Sequence, residues 1–275
     1  MKYIIIYSMG GYMDNIIKIN DLNFKYKDKI IFEDLNLNIK RNTFTTIIGS
    51  NNCGKSTLCK IILGIIKTDS EIMIDDINLN DKNIKKIRKV IGYIPNNISD
   101  SIIMDTVEEE IISSVSKYKK QDLEELINKF NFSHLLKRNP KTLSGGEQQL
   151  MCIISNLLKH PKILIFDKSF SMLDNLIKDK ILKMMKKISK EENITIINFT
   201  NDTEDVVYGD NIVIIDNNKI LINEKKEILL NDEKLFKSLN LKLPFMADLS
   251  KKLSYYNLVN TLELDMTRMV NKIWK

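Results

Sequence analysis

The chain has 275 residues, enough for one large α/β domain with an appendage of some tens of residues. Its 43% hydrophobic and 28% charged residues place it among water-soluble globules and exclude a disordered or bilayer-embedded chain. The net charge of +6 accompanies a general richness in Lys, Ile and Asn, so it reads as compositional bias and not as a nucleic-acid footprint.

Residues 1–13 hold a short Ile run that is too brief for a signal peptide, and they read as an upstream start or a loose arm. From there Ile17, Ile19, Leu22 and Phe24 alternate, ending near Tyr26, and Leu35, Leu37 and Ile39 repeat the period of two, as antiparallel strands do. Residues 44–48 form a continuous β-rich apolar run, which suits a buried parallel strand, and a helix is expected over 55–66. The block from about 97 to 158 lacks strand patterning and reads as a helical insertion, with Asp105 as the expected N-cap of one helix. Strands return at 163–166, 195–199 and 211–215, with a helix over 175–190, and the pattern is helical again from about 225. Buried strands alternating with helices imply a parallel, doubly wound core. No run approaches the ~18 apolar residues that span a bilayer. Cys53, Cys59 and Cys152 show no metal-site spacing, and free thiols without a secretory signal lead us to expect a reducing cytosol.

"GSNNCGKST", Gly49 to Thr57, fits the phosphate-loop pattern between a buried strand and an apolar helix. In such a loop the amides of Ser50, Asn51, Asn52, Cys53 and Gly54 and the helix N-terminus surround phosphate oxygens. Lys55 reaches the β- and γ-phosphates, and Ser56 offers a hydroxyl to Mg²⁺. Asn52 stands where a left-handed backbone is often required, and Cys53 reads chiefly as a small space-filling residue. About 110 residues later "ILIFD" ends a buried strand in Asp167, a second Mg²⁺ ligand. "LSGGE" places Ser144, Gly145, Gly146 and Glu147 at a helix start, which serves equally as an anion cradle or as an ordinary Ser cap.

The order of phosphate loop, helical insertion, "LSGGE", "ILIFD" and "SMLD" resembles that of ATP-binding-cassette (ABC) ATPases over roughly residues 14–230. The resemblance implies an ABC-type P-loop NTPase core of α/β class with an N-terminal antiparallel β subdomain, a helical subdomain and a C-terminal helical extension. It implies two cassettes meeting head to tail, each ATP lying between the phosphate loop of one and the "LSGG" of the other. Tyr26 looks like the aromatic that stacks on adenine, although a Tyr on a sheet surface fits the residue too. "DTVEEEI", "SMLD" and "LKLPFMADLSKKL" narrow the resemblance to the ATPase subunits of energy-coupling-factor (ECF) transporters, bacterial importers of vitamins and of cobalt or nickel. In that family residues 231–275 would help hold two ATPases together. The cofactors implied are ATP and Mg²⁺. The partners are a second ABC ATPase, an integral membrane transport protein and a substrate-binding membrane subunit, with no nucleic acid, at the cytoplasmic face of the membrane. A soluble ABC protein of ribosomes or DNA, or a purely regulatory nucleotide-binding subunit, is the alternative.

Three positions depart from the family pattern. Lys168 replaces the Glu that positions or deprotonates the attacking water, and an ammonium with a pKa near ~10.4 holds no free lone pair at neutral pH. Asn201 stands at the position of a His, and Asn96 at that of a Gln, one methylene shorter. The binding groups are kept and the catalytic groups are not, which predicts an ATP site impaired in hydrolysis within a heterodimer. Lys168 either pairs with the γ-phosphate or swings into solvent.

Overall fold

The computed structural model describes residues 14–239 and 241–274; the expected N-terminal arm lies outside them. In chain order the strands and helices begin with β1 (Asn15–Tyr26), β2 (Lys29–Lys40), β3 (Phe44–Gly49), α1 (Lys55–Ile62), β4 (Ile72–Ile74), β5 (Ile77–Asn78), α2 (Ile84–Val90) and β6 (Ile91–Ile94). The helices α3 (Val107–Ser113), α4 (Lys120–Lys129) and α5 (Gly145–Leu157) follow without an intervening strand. Then come β7 (Ile163–Asp167), α6 (Asn175–Glu191), β8 (Thr195–Thr200), β9 (Asn211–Asp216), β10 (Lys219–Lys225), α7 (Lys226–Asn231), α8 (Glu233–Ser238), α9 (Phe245–Tyr255) and α10 (Met266–Ile273).

β3, β7 and β8 are buried at every position, which is why their sequences run apolar without alternation. They sit inside a six-stranded sheet of order β10-β9-β3-β8-β7-β6, parallel except for the β9–β10 hairpin. β1 and β2 alternate because one face only is covered, and with β4 and β5 they form a four-stranded antiparallel sheet of order β2-β1-β4-β5. Ile17, Ile19 and Phe32 of that sheet share a core with α1 and with Ile47, Ile165 and Phe199 of the parallel sheet. The opposite face of the parallel sheet packs Phe166 and Ile196 against α3 to α6. A third core joins Ile48 and Ile214 to Leu230, Phe236 and Ala247, and so seats the C-terminal helices on the sheet.

The local expectations need three corrections. α1 ends at Ile62, four residues short of the expected end, because Gly64 turns the backbone left-handed at φ 61°. Thr106, not Asp105, caps α3: its hydroxyl accepts from the Glu109 amide while the Glu109 carboxylate accepts from the Thr106 amide. β10, β4, β5 and β6 are strands that the apolar periodicity does not reveal.

The fold sets the site by register. β3, β8 and β7 are neighbours, with Ile48 opposite Thr200 and Asp167 opposite Phe199. The phosphate loop, the Asn201 turn and the Asp167–Lys168 corner therefore leave the same edge of the sheet, the carboxyl ends where open α/β sheets bind ligands.

Candidate nucleotide site

Gly49 closes β3 where no side chain fits: a Cβ there would lie 2.2 Å from Ile215 O and 2.7 Å from Cys53 Sγ. Asn52 is left-handed at φ 65° and Gly54 at φ 102°, so the loop curls back on itself before α1 begins. A Cβ on Gly54 would meet the Phe32 ring at 2.7 Å, so the antiparallel sheet supports the loop from below. Gly54 offers no capping side chain, which leaves the first-turn amides of α1 without an intrahelical partner. Lys55 is buried and folds across the loop, donating to Gly49 O and Ser50 O at 2.8 Å each, with Cys53 Sγ at 3.5 Å. Burial lowers its pKa, and the charge of Lys168 adds to that effect. A cleft of about 220 Å³ opens here, lined by Lys29, Asn52, Lys55, Ser56, Thr57 and Lys168 among others.

Lys168 is thus among the residues that line the cleft, and it is part-buried. Its backbone is left-handed at φ 54°, with its amide donating to Phe199 O at 2.9 Å. Asp167 beside it is 9% exposed; Tyr93 Oη donates to its Oδ2 at 3.4 Å, and its Oδ1 is buried with no hydrogen-bond partner. Burial raises the Asp167 pKa against the opposing pull of Lys168, Tyr93 and Lys55. Asn201 reaches the phosphate loop, Nδ2 donating to Asn51 Oδ1 at 2.7 Å. Asn96 is held elsewhere: its Oδ1 accepts from Ser171 Oγ at 2.7 Å. Of the three departing positions, Asn201 therefore touches the phosphate loop, Lys168 lines the cleft beside it, and Asn96 is tied to the "SMLD" turn. Tyr26 closes β1 half-exposed, its ring edge-to-face with Phe24 at 4.9 Å, and does not line the cleft.

Ser144 and Gly145 are exposed, and Ser144 caps α5. Glu147 Oε2 accepts from the Ser144 amide at 2.7 Å and its hydroxyl at 2.8 Å, which holds the Glu147 pKa low. Both alternatives for this serine are compatible with that geometry, since the donors that serve Glu147 are those an anion would use. Sequence reasoning missed Lys29, Tyr93 and Lys178, and it did not foresee the bond between Ser171 of "SMLD" and Asn96. Lys178 had a visible signal: a lysine on the α6 stripe shared with Ile181, Leu182 and Met185.

The ABC transporter family profile matches residues 32–171. The "Energy-coupling factor transporter ATP-binding protein EcfA1" of Lactobacillus gasseri is 31% identical over 252 residues, covering 87% of this chain and 88% of the relative. The protein of the same name in Clostridioides difficile is 32% identical over 254 residues, with 88% and 91% covered. The chain belongs to the ECF transporter ATP-binding proteins of the ABC family. Among solved structures, cbiO1 from Clostridium perfringens, part of the ABC transporter complex cbiONQ, superposes with a TM-score of 0.75 at 26% identity, covering 86% of this chain and 99% of that one. The dimeric bacterial ABC transporter cassette MJ0796 gives 0.67 at 28% identity, with 76% and 98% covered.

The donor set of this ECF-type cassette fits a nucleotide-borne Mg²⁺. Asp167 Oδ1 is an orphaned buried acceptor at the sheet edge, and Ser56 opens α1 on the cleft. No group of three or more His, Cys, Asp or Glu gathers for a metal among the described residues. Mg²⁺ bound there neutralises phosphate charge. Among the described residues no helix is long and apolar enough to cross a membrane.

Proposed function

We propose that the chain is the hydrolysis-impaired ATP-binding subunit of an ECF-type importer. It holds Mg-ATP at its own phosphate loop and completes the partner ATPase's active site with Ser144, Gly145, Gly146 and Glu147. The observation that carries this reading is Lys168 in the cleft beside Lys55, where the family has a carboxylate base. An ammonium there cannot take a proton from water but can pair with a γ-phosphate. Asn201 adds a neutral donor to the same loop, and Asn96 is engaged with Ser171. Gly49, Lys55, Ser56 and Asp167 keep the binding chemistry, and Tyr26, half-exposed at the end of β1, is the adenine-stacking group.

The partners follow from the kinship. A second, hydrolysis-competent ATPase pairs head to tail, and a membrane transport protein with its substrate-binding subunit docks on the helical block at the cytoplasmic face. The cargo is a vitamin or a metal ion. Residues 231–275 form the dimerisation extension, supported by Met266, Val270 and Trp274, which stand exposed on one side of α10 at helical spacing.

Equilibrium binding and turnover of the purified chain test the nucleotide part. We expect saturable Mg-ATP binding without multiple turnover, and at least a tenfold loss of affinity in Lys55→Ala, since a charge-assisted contact is worth about 1.5–3 kcal/mol. Sustained hydrolysis by the chain alone contradicts the reading.

A further inference from the structure

We propose that Lys178 is a positioning residue that ties the phosphate loop of this chain to its own signature helix, so that nucleotide held at one shared site is felt at the other. The proposal rests on the reading above, in which Mg-ATP lies at the phosphate loop and the signature serves the partner.

Lys178 lies in the first turns of α6 and is only 6% exposed. An enclosed ammonium is costly unless partnered, and here two carboxylates receive it: Asp205 Oδ1 at 2.8 Å and Asp202 Oδ2. Both belong to the turn that leaves β8 directly after Asn201. Asp205 is anchored to the sheet through Asn198 Nδ2, which donates to its Oδ2 at 3.2 Å. Asp202 is fixed on both sides, its amide donating to Thr200 Oγ1 and its Oδ1 accepting from the Glu204 amide, each at 3.0 Å. The residue before it, Asn201, holds Asn51 of the phosphate loop at 2.7 Å.

On the helix side the contact continues. Ile177 precedes Lys178 and packs on Gly146, where an added Cβ would lie 2.9 Å from Ile177 Cγ2. Asp174 caps α6 by accepting from the amides of Leu176 and Ile177 at 3.0 Å. The path Asn51, Asn201, Asp202, Lys178, Ile177, Gly146 therefore runs from the phosphate loop to the signature through side-chain contacts and adjoining backbone. A nucleotide that moves Asn201 pulls on Asp202, and α6 carries the pull to the Gly146 packing. Contiguity alone does not make coupling; both ends must bias the same element.

Amide hydrogen exchange of the full chain with and without Mg-ATP decides this. In the wild type and in Lys178→Arg, ATP is expected to slow exchange at residues 50–57, at 144–150 and at 174–178, by about fivefold or more at the last two. In Lys178→Met and in Asp202→Asn, slowing at 50–57 is expected to persist while that at 144–150 disappears. Asp202→Asn keeps a capping side chain and the Lys178–Asp205 pair, so it carries the test should Lys178→Met fail to fold. Slowing at 144–150 that survives in Asp202→Asn overturns the proposal, as does a wild type that responds at 50–57 only. A wild type that shows no slowing at 50–57 refutes nucleotide binding at the phosphate loop, and this inference with it.

Discussion

Under the proposed reading, Lys168 changes the site's task without changing its fold. Its left-handed backbone at φ 54° is a conformation that a long side chain adopts at a cost of about 1–2 kcal/mol. The corner is held by the hydrogen bond that its amide donates to Phe199 O, so the backbone keeps this position at the cleft whatever the side chain's chemistry. Replacing the charge should therefore alter binding more than stability. Lys168→Met should weaken ATP binding about tenfold or more, measured by equilibrium titration, given about 1.5–3 kcal/mol for a charge-assisted contact. Lys168→Glu should weaken it further and still not yield a competent hydrolase, because Asn96 remains bonded to Ser171 and Asn201 carries no charge. The identity of these residues was legible in the chain, as departures from a motif. Their orientation was not: whether Lys168 faced the cleft or solvent depends on the backbone turn after β7, which no local pattern encodes.

At the scale of elements, the phosphate loop depends on close backbone approach. Gly49 abuts the carbonyl of Ile215 on the neighbouring β9, so Gly49→Ala must displace backbone. The expected loss is about 1–3 kcal/mol of stability, read as a lower Tm in thermal unfolding, together with weaker ATP binding. Elements with a strong period declared themselves: β3, β7 and β8 as unbroken apolar runs, β1 and β2 by alternation. Others could not. β6 follows α2 with no intervening residue, so two periods blur into one apolar stretch. β4 has three residues and β5 two, too short to show a period. β10 exposes one face along its length, yet its turn was available to be read. Asn217 and Asn218 are both left-handed, at φ 46° and 66°, as a two-residue hairpin turn requires. The cap of α3 was misplaced by one residue because Asp105 and Thr106 are both good caps. The reciprocal bond to Glu109 selects Thr106.

At the scale of the molecule, the phosphate loop and the signature lie on separate parts of the fold, and in the proposed head-to-tail pair the first would meet the partner ATPase's signature and the second its phosphate loop. Under that proposal this chain would contribute an altered phosphate-loop site and an intact signature. The Asp202–Lys178 ion pair lies between them, and under the proposed coupling a nucleotide retained on one side would hold the other in register. The asymmetry is the central claim, and turnover in the assembled complex tests it most directly. Steady-state ATP hydrolysis should fall about tenfold or more when Ser144 and Gly145 of this chain are substituted, or when the partner's catalytic base is removed, because loss of phosphate-facing hydrogen-bond donors of this kind costs a factor of about 10²–10³. Hydrolysis that survives removal of the partner's base but stops with Lys55→Ala in this chain would contradict the account, because the turning-over site would then be this one.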